Sequence, residues 1–129
     1  MTTEMTTDMA ALTQAVQRYF DLMYDGDVAD FDAVFHTSAQ LHGFRAGGLI
    51  TAIPAAAYRD MLSGTPSPRS QGAPRQQEIL LLDIAAADQA LAKVRVRINA
   101  ILYLDYLCYH CIDQRWLITA KSFHVEARL

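Results

Sequence analysis

The spacing of apolar residues settles into a two-residue period near residue 77, and that change leaves few folds open. Before it, Leu12, Val16, Tyr19, Phe20 and Met23 recur at three- and four-residue steps, the mark of one buried helical face. After it, apolar and polar residues alternate. Val94, Val96 and Ile98 interleave with Arg95, Arg97 and Asn99, so the two sets face opposite sides of a sheet. Helices first and strands afterwards define an α+β domain, with three N-terminal helices packed on a curved antiparallel sheet.

The expected elements follow from local signals. A first helix runs over about 8–24, with Asp8 early and Gly26 closing it. Asp27 can cap a second, shorter helix whose apolar stripe is Phe31, Val34 and Phe35, with His36 at its end. Ala39 to Phe44 reads as a strand that turns at Ala46-Gly47-Gly48 into Leu49-Ile50. Pro54 suits the first turn of a third helix through Leu62, and Gly64 suits its end. Thr65 to Pro74, rich in Pro, Ser, Gly and Gln, is expected to be a solvated, mobile crossover. Strands are expected over Gln77–Ala85 and Ala90–Leu102, the second continuing through Tyr103–Ile112. A tight turn at Asp113-Gln114 leads back along Trp116–Val125.

A chain of 129 residues suits one domain, expected over 8–129 behind a disordered segment 1–7. The 52% hydrophobic content supports a core, and a net charge of −3 provides no basic field for nucleic acid or an anionic membrane. The apolar runs are too short to span a bilayer and the start lacks a signal-peptide pattern, so a cytoplasmic location is the default. Cys108 and Cys111 form a C-x-x-C on a strand, where residues three apart face opposite ways. Two free thiols are expected there, rather than a redox pair.

Chemistry enters at Asp105. It lies inside Ile101-Leu102-Tyr103-Leu104-Asp105-Tyr106-Leu107-Cys108-Tyr109, the most apolar stretch of the chain. A buried carboxylate must be paired, protonated or opened to a cavity. Alternation puts Tyr103, Leu107 and Tyr109 on its face and Leu104, Tyr106, Cys108 and His110 on the other.

Three blocks of residues resemble the NTF2-like superfamily, the cone-shaped fold of ketosteroid isomerase, scytalone dehydratase and the SnoaL polyketide cyclases. They most resemble its lumazine-binding branch. The blocks are Tyr19-Phe20-Asp21 with Tyr24-Asp25-Gly26-Asp27 and Phe35-His36; Gly43 and Gly48 to Pro54; and Asp105-Tyr106-Leu107 with Trp116-Leu117-Ile118, Lys121 and Phe123. Together they cover about 9–126. In ketosteroid isomerase a tyrosine and a protonated aspartic acid form the oxyanion hole. The resemblance carries these onto Tyr19 and Asp105. It carries the proton-shuttling base onto Gly43, which has no side chain. His42, next in sequence, could replace that base only if the strand bulges.

The resemblance implies a small molecule, mostly apolar and aromatic or polycyclic, held in the cone. Tyr19, Tyr103 and Asp105 would orient it, and Phe20, Phe35, Tyr58 and Trp116 would line the pocket. It also implies a homodimer through the apolar outer sheet face. A cofactor-free isomerase or dehydratase using Tyr19, Asp105 and His42 is the alternative, and a protein-interaction module using the outer face is a third. Lys121 could meet an acidic ligand group, stay solvated or pair with a carboxylate. Arg95 and Arg97 could bind an anion or pair with acids such as Asp83, and Asp105 could pair with Tyr19 or Arg97. No cofactor and no metal is expected, since no His or acid pair sits at chelating separation. Hydrolase triads, phosphate loops and dinucleotide fingerprints are also missing from the sequence.

Overall fold

A computed structural model describes residues 3–45 and 47–129 of the chain. Helix α1 spans Thr3–Asp25. It begins before Asp8 and so takes in residues 3–7 of the segment expected to be disordered, while Met1 and Thr2 lie outside the described residues. Leu12, Val16, Tyr19, Phe20 and Met23 are all buried on it, as their spacing requires. Gly26 ends the helix at φ +66° while its N–H still donates to the Leu22 carbonyl at 2.9 Å, a left-handed exit that suits glycine.

The second helix is shorter than expected and of a different kind. Val28–Ala33 is a single 3-10 segment, and the Asp27 carboxylate accepts the Ala29 N–H at 3.1 Å. Phe35 and His36 are not on it; they open strand β1, Phe35–Phe44. Phe35 fits both a helical stripe with Phe31 and a strand alternation with Ala39 and Leu41. Its ring stacks on Phe31 at 4.9 Å across the junction. Strand β2, Ile50–Pro54, returns along β1, and helix α2, Ala55–Gly64, follows directly from Pro54.

The remaining strands are β3 (Gln77–Ala86), β4 (Gln89–Ile98), β5 (Ile101–Ile112) and β6 (Arg115–Arg128). The expected long strand through Leu102 is broken by a two-residue turn, where Asn99 adopts φ 54°. Asn is one of the few residues that tolerates this region. Asp113 and Gln114, at φ 49° and 65°, make the expected tight turn.

The six strands form one sheet in the order β2-β1-β6-β5-β4-β3. All neighbours are antiparallel except β1 and β6, which run parallel with Leu41 opposite Lys121 and His42 opposite Ser122. An entirely antiparallel sheet is therefore corrected at one pairing. Most of the chain separates these two strands, so no hairpin fixes their relative direction.

The loop over 65–74 is held to the helix rather than loose. The Arg69 N–H donates to the Tyr24 carbonyl at 3.0 Å, the Tyr24 hydroxyl donates to the Ala73 carbonyl at 2.9 Å, and Pro68 is buried. The core lies between α1, the 3-10 segment, α2 and the concave sheet face, where Ala92, Val94, Val96, Leu107 and Ile118 are fully covered.

Candidate functional site

Strand β5 turns Asp105 inward between Val94 on β4 and Phe123 on β6, and α1 lays Tyr19 against it. Both residues are completely buried. The Tyr19 hydroxyl donates to Asp105 Oδ2 at 2.5 Å, the length of a charge-assisted O–H···O bond. Arg97 is not the partner of Asp105; it donates to the Asn99 carbonyl and to Gln76.

The cation that does approach Asp105 is Lys121 of β6, whose Nζ lies 3.8 Å from the same Oδ2. Lys121 is only 4% exposed. Its ammonium also donates to the Tyr58 hydroxyl at 3.4 Å and faces the rings of Tyr19 and Tyr58 at 5.1 and 5.0 Å, a cation–π arrangement. The Tyr58 hydroxyl donates in turn to Met23 Sδ at 3.2 Å. Lys121, for which the sequence alone leaves three possible surroundings, lies in the site beside Asp105 and Tyr58. Its alternation with Phe123 on β6, two residues on, was the available signal.

Burial pushes the Asp105 carboxyl above its ordinary range, against the opposing pull of Lys121 and of the Tyr19 hydrogen bond. Burial works against the charged form of Lys121 too. Asp105, Tyr58 and Tyr103 outweigh it and hold the ammonium above its ordinary value. Tyr19 is pushed well above the usual phenol range, first by burial and then by Asp105. All three groups therefore favour keeping a proton.

Beside this cluster opens a cavity of about 390 Å³. Leu41, Ile53, Ile98 and Phe123 contribute its apolar walls, and Tyr58, Tyr103 and Lys121 its polar groups. Phe44, Arg45, Met61 and Arg128, all exposed, stand where it meets solvent. Tyr103 packs edge-on against Phe123, with centroids 6.3 Å apart.

Of the residues expected to line the pocket, Tyr58 and Tyr103 do. Phe20, Phe35 and Trp116 are buried in the core instead and are not part of the cavity wall. Tyr19 and Asp105 meet each other as expected, but they lie behind Lys121 and present no surface to the cavity. The absent base position is physically filled. A β-carbon built on Gly43 would lie 2.5 Å from Phe123 Cζ. His42 is exposed, while Leu41 and Gly43 on either side of it are buried. Its pairing with Ala52 sits in an unbroken register from Gln40 to Phe44, so no bulge turns it inward.

On the outer sheet face Arg95 joins Glu78 and Glu126, each at 2.7 Å, and not Asp83. His110 Nδ1 lies 2.6 Å from Thr119 Oγ1. Cys108 and Cys111 are free thiols, the latter packed against the core. Among the described residues no helix is long and apolar enough to cross a membrane.

A helix-backed, strongly curved sheet around an inner pocket is the architecture of the NTF2-like, or cystatin-like, proteins. The chain belongs to the family described as "Putative lumazine-binding", whose model matches residues 7–124. It is similar in fold to an NTF2-like protein of unknown function from Silicibacter pomeroyi, at 22% identity and a TM-score of 0.79, over 98% of this chain and 100% of that one. A second NTF2-like protein of unknown function, from Shewanella baltica, has a TM-score of 0.83 at 16% identity, covering 95% and 96% of the two chains. A ketosteroid isomerase-like protein from Erwinia carotovora has a TM-score of 0.70 at 12% identity, covering 92% and 95%. No curated protein matches the chain.

Proposed function

We propose that this protein binds a small, mostly apolar molecule with a flat aromatic or polycyclic body in the cavity of its cone. The observation that carries this reading is the cavity itself. Its volume of about 390 Å³ falls within the roughly 300–1,000 Å³ common for small-molecule sites. Aliphatic and aromatic walls with three convergent polar side chains are the usual composition of such a site. The family description agrees with a flat ligand, since lumazine is a planar bicyclic heteroaromatic.

Binding without turnover is the reading we favour, because the proton-shuttle position is Gly43 with a phenylalanine ring against it. An isomerase or dehydratase is the second reading, and the Tyr19–Asp105 hydrogen bond favours it. That reading needs a rearrangement that brings the pair into contact with substrate, since Lys121 now stands between.

The test is a thermal-shift series with planar one- to three-ring molecules, lumazine among them. A ligand of the native state raises the melting temperature in step with its concentration. Leu41→Trp, which fills the cavity, is expected to abolish the shift. A shift that survives in Leu41→Trp, or a series with no shift at all, would remove this reading. An enolisable ketone exchanging its α-proton in the presence of the protein, with loss in Asp105→Leu, would favour the enzyme instead.

A further inference from the structure

The cavity wall carries three cations and, among the described residues, no carboxylate. Lys121 is the inner one, buried, and Arg45 and Arg128 are the exposed ones at the mouth. In a chain of net charge −3 this is a local excess of the opposite sign. Asp105 pairs with Lys121 from behind at 3.8 Å and is fully covered, so it offsets part of that charge while offering the cavity itself no acceptor.

Among the described residues Lys121 is also short of partners. An ammonium has three protons to donate. Its best acceptor is Tyr58 Oη at 3.4 Å, and Asp105 Oδ2 at 3.8 Å is beyond hydrogen-bonding reach. That carboxylate oxygen is already engaged by Tyr19 at 2.5 Å. A buried ammonium with such long contacts is costly unless a further acceptor reaches it, and the open side is the cavity. Tyr58 and Tyr103 flank that side with hydroxyl groups.

From this geometry we infer that the ligand is an apolar acid whose anionic group docks on Lys121, with its ring system against Leu41, Ile53, Ile98 and Phe123. The acid supplies the acceptor that Lys121 lacks. Arg45 and Arg128 draw anions to the mouth and disfavour cations there. This rests on the small-molecule reading above and narrows it to carboxylates and chemically similar anions.

Naphthoic acid and its neutral isostere naphthamide separate the two claims. By titration calorimetry at neutral pH and low salt, the acid is expected to bind about tenfold or more tighter than the amide, as a hydrogen bond to a charged group allows. In Lys121→Met the ratio is expected to fall to near one. If that variant does not fold, Asp105→Asn/Lys121→Met removes both charges together and carries the same comparison. Equal binding of the two probes, or tighter binding of the amide, would overturn the anion inference and leave the cavity reading standing. A tenfold ratio that persists without Lys121 would overturn its assignment as the anchor. If neither probe binds, the cavity reading falls and the inference with it.

Discussion

Phe123 lays its ring over Gly43, with Cζ and Cδ2 at 2.5 and 2.6 Å from where a β-carbon on that glycine would stand. The two residues lie on the parallel neighbours β1 and β6, one step beyond the pairing of His42 with Ser122. An aromatic ring covering a strand glycine restores packing that the glycine forfeits. Gly43→Ala should therefore overpack this contact and cost about 1–3 kcal/mol in chemical denaturation. In a Phe123→Ala background the same change should cost much less. Equal costs in the two backgrounds would show that the ring does not require the glycine.

Lys121→Met leaves the buried Asp105 without its cation. Removing one partner of a buried pair costs roughly 3–5 kcal/mol, whereas replacing both partners with apolar groups can be neutral. Lys121→Met is accordingly expected to be less stable than Asp105→Leu/Lys121→Met when both are unfolded in urea. A double variant as unstable as the single one would mean that packing, not the isolated charge, sets the cost.

The proton-holding tendency of the cluster gives stability a defined pH dependence. Lys121 and Tyr19 have ordinary values of 10.5 and 10.0 and are raised in the folded protein. Their contribution is thus complete below about pH 10 and is lost as pH climbs through the raised values. Melting temperature should fall in that range, and fall less in Tyr19→Phe.

Asp105 is also raised, from an ordinary 3.8. Its contribution is present below that value and lost as pH rises through the folded one. Asp105→Asn, which cannot ionise, should therefore lose less stability than wild type as pH rises above about 3.8. Carbon-detected NMR of the Asp105 carboxyl should give a midpoint above 3.8. A midpoint at or below that value would contradict the shift and make a neutral hydrogen-bond donor at pH 7 untenable.

The outer sheet face presents Tyr106 and Leu81, 41% and 49% exposed, beside partly covered Leu104 and Cys108. A second copy covering this face is the expected partner, giving a two-fold dimer. Light scattering at micromolar concentration should report a dimer, and Tyr106→Glu should shift it to monomer. A monomeric wild type would leave the face to a different partner or to solvent.

Much of this was legible in the residues themselves. The helical stripe from Leu12 to Met23 and the alternation through β4 located the layers, and the resemblance to ketosteroid isomerase implied that Tyr19 and Asp105 belong together. Phe35 was ambiguous because position i+4 from Phe31 and position i−4 from Ala39 satisfy both periods. The turn at Asn99 was hidden by apolar residues on both sides. The parallel β1–β6 pairing involves residues about eighty apart, and nothing local encodes such a contact. The misplacing of Phe20, Phe35 and Trp116 has another cause. Alternation says which side chains point inward, but not which of them end in filled core and which border empty space.

Lys121 sits on β6, which has strands on both sides of it, whereas the mouth is built from margins. Phe44 and Arg45 stand at the β1–β2 hairpin, Met61 in the last turn of α2 and Arg128 at the end of β6. Anchor and entrance are thus held by different parts of the backbone. Relatives could exchange what the entrance admits by altering turns and chain ends, while the inner charge stays where the sheet's hydrogen bonding fixes it. A pocket divided in this way can change its clientele without refolding its centre.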